Sequence, residues 1–139
     1  MPADRPIVIV LAAVIERDGR LLVTRRLEGT HLSGYWEFPG GKCEPGEAHE
    51  SCLARELLEE LNVECEVGEE MLVTEHAYPA RTVRLHFRWC HINGEPTAVL
   101  GQEMRWISHA ELAELQFPDA DRELIDLLMK STSTATDRP

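Results

Sequence analysis

Three glutamates, Glu56, Glu59 and Glu60, crowd into the stretch from Gly40 to Val63, GGKCEPGEAHESCLARELLEELNV. Like charges on neighbouring helical positions repel, so the cluster either faces water or holds something cationic. Carboxylate oxygens are the ligands that Mg²⁺ and Mn²⁺ prefer. Two or three of them on adjacent turns can hold one or more cations, which in turn bridge to phosphate oxygens and polarise them. A cation site also calls for a preceding loop whose backbone comes close to metal or phosphate, and Gly40-Gly41 has the conformational freedom for it. The competing reading is a solvated acidic face, the usual fate of charge on a helix of this composition.

The elements around the cluster follow from pattern. Ala48 to Leu61 contains no Gly or Pro and is rich in Leu, Ala and Glu, which predicts a helix. At about 100° per residue, Leu53, Ala54, Leu57, Leu58 and Leu61 share one arc and the three glutamates the opposite one. Asn62 ends the helix, since Asn tolerates the left-handed conformation of a helix end. Upstream, IVIVLAAVI (7–15) is continuous and β-branched, as in a strand covered on both faces. Asp18-Gly19 signals a hairpin into LLVTRR. LEGTHLSGYW and EFPGGKCEPGE read as loops. Downstream, MLVTEHAY and TVRLHFRWC read as strands, the second half-buried with Val83, Leu85, Phe87 and Trp89 inward. NGEP reads as a turn and MRWIS as a short strand. Ser108 and Glu111 form a capping box for a short helix, FPDADRELIDLLMK is a last helix, and 131–139 reads as a frayed, disordered tail. No repeat or linker divides 1–130, which predicts one domain.

With 43% apolar residues the chain can build a core, and its net charge of −11 lacks the basic footprint of a protein that grips nucleic acid polymers. A nucleotide arriving with a divalent metal is not excluded. The run 7–15 is too short to span a bilayer, and the start, MPADRP, has no signal-type pattern. The cysteines Cys43, Cys52, Cys65 and Cys90 form no C-x-x-C pair and stand near no His at zinc spacing, so reduced thiols and a cytoplasmic location are expected. No Ser-His-Asp or Cys-His site is evident, and none of the six histidines is given a catalytic role.

The stretch resembles the Nudix box, G-x5-E-x7-R-E-U-x-E-E-x-G-U with U a bulky aliphatic. Gly41, Glu47, Arg55-Glu56-Leu57, Glu59-Glu60 and Val63 match, and only the second glycine differs, being Asn62 here. Agreement at eight of nine defined positions removes the solvated-face reading as the default. TRR, WEFPGGK and FPDAD resemble the MutT-like branch. The resemblance implies an α/β fold, an α/β/α sandwich around a mixed β-sheet. It also implies a single-domain Mg²⁺-dependent enzyme (Mn²⁺ as substitute) that cuts a nucleoside triphosphate to monophosphate and pyrophosphate, as monomer or homodimer. Glu59, Glu60 and the Gly41 carbonyl would be metal ligands and Glu56 ligand or general base. Arg55 would orient Glu56 or Glu47, and Glu47 would be structural. Glu103 is the candidate acid from outside the box, against a plain loop carboxylate. Lys42 is expected to face solvent.

The same resemblance suggests a recognition set. Phe38 and Tyr78 would flank the base, Arg26 would reach phosphate or base, and Arg81 would stand at the pocket edge; plain packing and surface charge are the alternatives. Asp121 is the informative position, because MutT-type members carry Asn there. An ionised Asp only accepts hydrogen bonds, which suits the exocyclic amine of cytosine or adenine. The expected substrate is therefore a cytosine or modified-cytosine nucleotide. A protonated Asp121 would permit 8-oxo-dGTP, and Asp121 could also serve only the helix dipole. The alternatives are a Nudix hydrolase of ADP-ribose or dinucleoside polyphosphates and, from another class, a nucleotide-binding Nudix module without turnover.

Overall fold

The computed structural model describes residues 6–136, with side chains through 130. Seven strands and two α-helices follow in the order β1 (Ile7–Arg17), β2 (Arg20–Arg25), β3 (Trp36–Glu37), β4 (Gly40–Lys42), α1 (His49–Leu61), β5 (Glu64–Ala77), β6 (Thr82–Asn93), β7 (Met104–Ser108) and α2 (Arg122–Thr136). Short 3-10 helices at Ala110–Glu114 and Asp119–Asp121 precede α2. The main sheet path is β3-β2-β1-β6-β5, with β4 also paired to β1 and β7 to β2. β1 runs parallel to β6 and every other pairing is antiparallel, so the sheet is mixed.

β1 is apolar throughout because both of its faces are covered. Leu11, Ala13 and Ile15 pack with Cys52, Leu53, Leu57 and Leu61 of α1 on one side. Ala12 and Val14 pack with Phe38, Phe87, Leu124 and Leu128 on the other. Two helical layers thus sandwich the sheet. Asp18 and Gly19 both take positive φ (54° and 77°), as a tight hairpin requires, and bring β2 back against β1.

Several expectations are corrected by packing. β6 is not half-buried: besides Leu85 and Phe87, His86 on its other face is only 8% exposed. Two short strands, β3 and β4, run through the segment read as loop, anchored to β2 and β1. Leu58 stands 52% exposed although it falls on the apolar arc. His109 is buried, its Nδ1 on the Leu128 carbonyl (2.8 Å) and its Nε2 on Glu16 (2.9 Å), so it joins α2 to β1. Cys43 and Cys52 are joined in a disulfide, against the expectation of four thiols; the loop folds Cys43 back onto the first turn of α1, a proximity that spacing alone does not reveal. Cys65 and Cys90 are free. The Ser108–Glu111 capping box forms, with reciprocal backbone bonds of 2.8 and 3.2 Å, but caps a 3-10 helix. The α2 backbone continues to Thr136, into the segment expected as tail, and 137–139 lie outside the described residues. No helix among the described residues is long and apolar enough to cross a membrane.

Candidate active site

α1 begins after Ala48 and ends at Asn62, whose left-handed backbone (φ 53°, ψ 42°) donates its N–H to Leu58 O at 3.0 Å. Asn thus does the work of the missing glycine. Leu53, Leu57 and Leu61 fix the helix on the sheet and leave Glu56 and Glu60 half-buried and Glu59 exposed.

The glutamates face β4, and here the glycines are obligatory. A β-carbon on Gly41 would stand 2.3 Å from Glu56 Oε1, and one on Gly40 would stand 1.9 Å from the Leu11 carbonyl oxygen. Neither position accepts a side chain without displacing the backbone or the acid. Gly40 also donates its N–H to Glu60 Oε2 at 3.2 Å. Arg55 lies across the cluster. It donates to Glu47 from Nε (2.8 Å) and Nη2 (2.9 Å), to Glu59 from Nη1 (3.3 Å) and to the Lys42 carbonyl (3.2 Å), and it stands 3.7 Å from Glu56. The Arg55 hydrogen bonds and the Glu44 amide hold Glu47 down at about 2. Glu47 is therefore Arg55's anchor, as its place before α1 suggests, and Lys42 is exposed.

Electrostatics sets the other acids apart. Burial pushes Glu60 up to about 8, with the charges of Glu56 and Glu37 adding to it and the Gly40 amide opposing. Burial likewise raises Glu56, partly offset by Arg55. Glu56 Oε2 is buried and has no hydrogen-bond partner among the described residues. An orphaned carboxylate oxygen beside a second buried acid is a donor set able to hold a cation.

A cleft of about 330 Å³ opens beside the cluster. Gly40, Gly41 and Glu60 line it, together with Arg26, Phe38, Tyr78, Arg81 and Asp121 among others. All five expected recognition residues thus share one cavity with Glu60. Phe38 is buried, stacked on Phe117 (centroids 5.5 Å) and edge-on to Phe87 (6.3 Å), so packing and wall are one role. Tyr78 and Arg81 form the exposed rim. Burial, then the charge of Glu37, push Asp121 up to about 7.

Glu103 is not brought into the cluster. It is exposed and paired with Arg25 (3.2 Å) and Arg105 (3.1 Å). Besides Asp121, the acid from outside the box that reaches the cleft is Glu37, which accepts from Arg26 at 2.9 Å and is raised by burial against that pull. Sequence reading missed Glu37 because β3 is only two residues long and shows no alternation; Trp36 inward and Glu37 toward the cleft is its only signal.

The comparisons agree with this geometry. A NUDIX-domain profile matches residues 10–127. The chain is 37% identical to a CTP pyrophosphohydrolase of Escherichia coli, over 86% of this chain and 90% of that protein. It is 35% identical to an 8-oxo-dGTP diphosphatase of Haemophilus influenzae, over 93% and 96%. Among solved structures it resembles the E. coli ORF135 protein, with a TM-score of 0.84 and 32% identity over 98% of both chains. With its box carboxylates in place over Gly40-Gly41 and these relatives spanning nearly its whole length, the chain belongs to the Nudix family, as a hydrolase of the MutT-like branch.

Proposed function

We propose that the chain hydrolyses nucleoside or deoxynucleoside triphosphates to monophosphate and pyrophosphate with Mg²⁺, and that cytosine or modified-cytosine nucleotides are preferred. The observation that carries this reading is the single cleft in which Glu60, Gly40 and Gly41 meet Arg26, Phe38, Tyr78, Arg81 and Asp121. The phosphates lie toward the acids and the base toward Asp121.

The donor set fits a hard divalent ion: carboxylates, a carbonyl, one orphaned oxygen and no imidazole or thiol. Glu56, Glu59, Glu60 and the Gly41 carbonyl would hold Mg²⁺, or Mn²⁺ in its place. When bound, the ion neutralises phosphate charge and favours ionised acids around it. The chain's own groups do the rest. Arg55, anchored on Glu47, fixes the orientation of Glu56 and Glu59. Glu56 has a second candidate role on this helix: where it does not hold the ion, it takes the proton of the attacking water. Arg26 and Arg81 steady the substrate's anionic end. Glu103 keeps a role as an outside acid only if it leaves Arg25 and Arg105 in the substrate complex. No covalent nucleophile is required, since such a displacement needs alignment and charge neutralisation.

One observation favours a second substrate. With its carboxyl at about 7, Asp121 is substantially protonated near neutrality and can donate to an oxidised guanine. The relatives named as CTP pyrophosphohydrolase and as 8-oxo-dGTP diphosphatase bracket the same choice. A hydrolysis panel decides: CTP, dCTP, 5-methyl-dCTP, 5-hydroxy-dCTP, dGTP, 8-oxo-dGTP and ADP-ribose with Mg²⁺, scoring pyrophosphate and orthophosphate separately. Pyrophosphate released fastest from the cytosine set supports the proposal. Preference for 8-oxo-dGTP keeps the reaction and overturns the base assignment. No turnover of any of them leaves a binding module.

A further inference from the structure

Away from the acid cluster, the other end of α1 meets the sheet through a different chemistry. His49 is the first residue of α1, Glu70 lies on β5, and His86 lies on β6. Each offers a ligand atom, and these atoms all lie within 4.8 Å of one another. The two imidazole rings stand 4.5 Å apart by centroid with planes at 58°. Glu70 sits where the β5–β6 register shifts on either side of it, between Val67 and Leu72. Such irregularities re-aim a side chain, and here Glu70 Oε1 reaches His86 Nδ1 at 2.5 Å.

His86 is the telling member. It is only 8% exposed, and its Nε2 is buried without a hydrogen-bond partner among the described residues. Glu70 engages Nδ1, and Nε2 is left without a partner among the described residues. A buried polar atom of that kind calls for a missing partner. Arg88, the nearby cation on β6, is engaged by the Gly68 carbonyl and by Glu50.

We infer that His49, Glu70 and His86 form a second metal site, for a borderline ion of the Zn²⁺ class, that ties the start of α1 to β5 and β6. Two imidazoles and one carboxylate match such an ion, whereas the oxygen-only cluster at Glu56, Glu59 and Glu60 matches Mg²⁺. Ligands about 2.0–2.1 Å from a tetrahedral ion stand roughly 3.4 Å apart, inside the 4.8 Å that bounds the three ligand atoms here. His49 is half-buried and Glu70 exposed, which leaves an entry path from solvent.

The test is calorimetric titration of the whole chain, stripped of metal, with Zn²⁺ in excess Mg²⁺ so that the acid cluster is occupied. Parallel Co²⁺ spectra report nitrogen ligation. His49→Ala and Glu70→Gln are the variants, because both positions are accessible and outside the core; far-ultraviolet circular dichroism checks that they fold. The expected result is one Zn²⁺ per chain, a rise in Tm on its addition, and an affinity at least about tenfold lower in His49→Ala. No Zn²⁺ binding by the parent overturns the inference. So does a loss smaller than tenfold in His49→Ala, which would place the ion on Cys65 and Cys90 or on the acid cluster.

Discussion

Glu56 rests its carboxylate in the space where Gly41 lacks a side chain: a β-carbon there would meet Oε1 at 2.3 Å and Oε2 at 2.4 Å. Gly41→Ala must therefore push the acid away from β4. The substitution is expected to lower kcat roughly a hundredfold or more while the protein still folds, because the clash falls on a side chain that can swing out. Rates together with circular dichroism check this; a Gly41→Ala enzyme of parental kcat would show that the contact is dispensable.

Arg55 and Glu47 form the brace behind the acids, with paired bonds of 2.8 and 2.9 Å. Lysine keeps the charge but not the fork. Arg55→Lys should lose about ten- to a hundredfold in kcat with KM little changed, as for residues that orient ligands rather than touch substrate. Steady-state kinetics separates this from a binding role, in which KM would rise instead.

Glu60 gives a pH signature. Its folded-state value, about 8, lies above the ordinary 4.5. Its contribution to stability is full below about pH 4.5 and is lost as pH rises through about 8. In a chelator, Tm should fall between pH 5 and pH 8. Mg²⁺ should restore it, and Glu60→Gln should flatten the fall. Thermal melts across that window would contradict the account if the parent and Glu60→Gln ran parallel.

Asp121 predicts a base preference that changes with pH. Above about 7 the carboxylate only accepts, and below it the acid also donates. The ratio of kcat/KM for dCTP over 8-oxo-dGTP should rise as pH crosses 7, and Asp121→Asn should remove that rise. A ratio independent of pH in the parent would mean that another group reads the base.

The Cys43–Cys52 disulfide closes a short loop, with a sequence separation of 9, between β4 and α1. In the chain-entropy picture a loop of this size is worth about 2–3 kcal/mol. Reduction by a dithiol should lower Tm by several degrees, and Cys52→Ser should melt at the reduced parent's temperature whether or not thiol is present. An identical Tm for the oxidised and reduced parent would remove the bond from the account.

Much of this was legible in the sequence because it is local. The α1 limits, the Asp18-Gly19 hairpin, β7 and the Ser108–Glu111 box each follow from a few adjacent residues. The box acids were legible because their spacing is fixed by one helix. What escaped depends on partners distant in sequence. His86 is buried where His49 of α1 and the paired β5 meet it; β3 and β4 are too short for periodicity; Cys43 meets Cys52 only once the loop folds back. Glu37 reaches the cleft and Glu103 does not for the same reason, since ion pairs with Arg26 and with Arg25 and Arg105 decide where each carboxylate points.

The central claim is that the acids over Gly40-Gly41 form a cation-dependent hydrolytic centre for nucleoside triphosphates. Initial rates of pyrophosphate release from dCTP, titrated with Mg²⁺ in the parent and in Glu60→Gln, test it most directly. The account predicts no release in chelator, a saturable rise with Mg²⁺, and a loss of roughly a hundredfold or more in the folded variant. Release that persists in chelator, or that Glu60→Gln leaves intact, would contradict it.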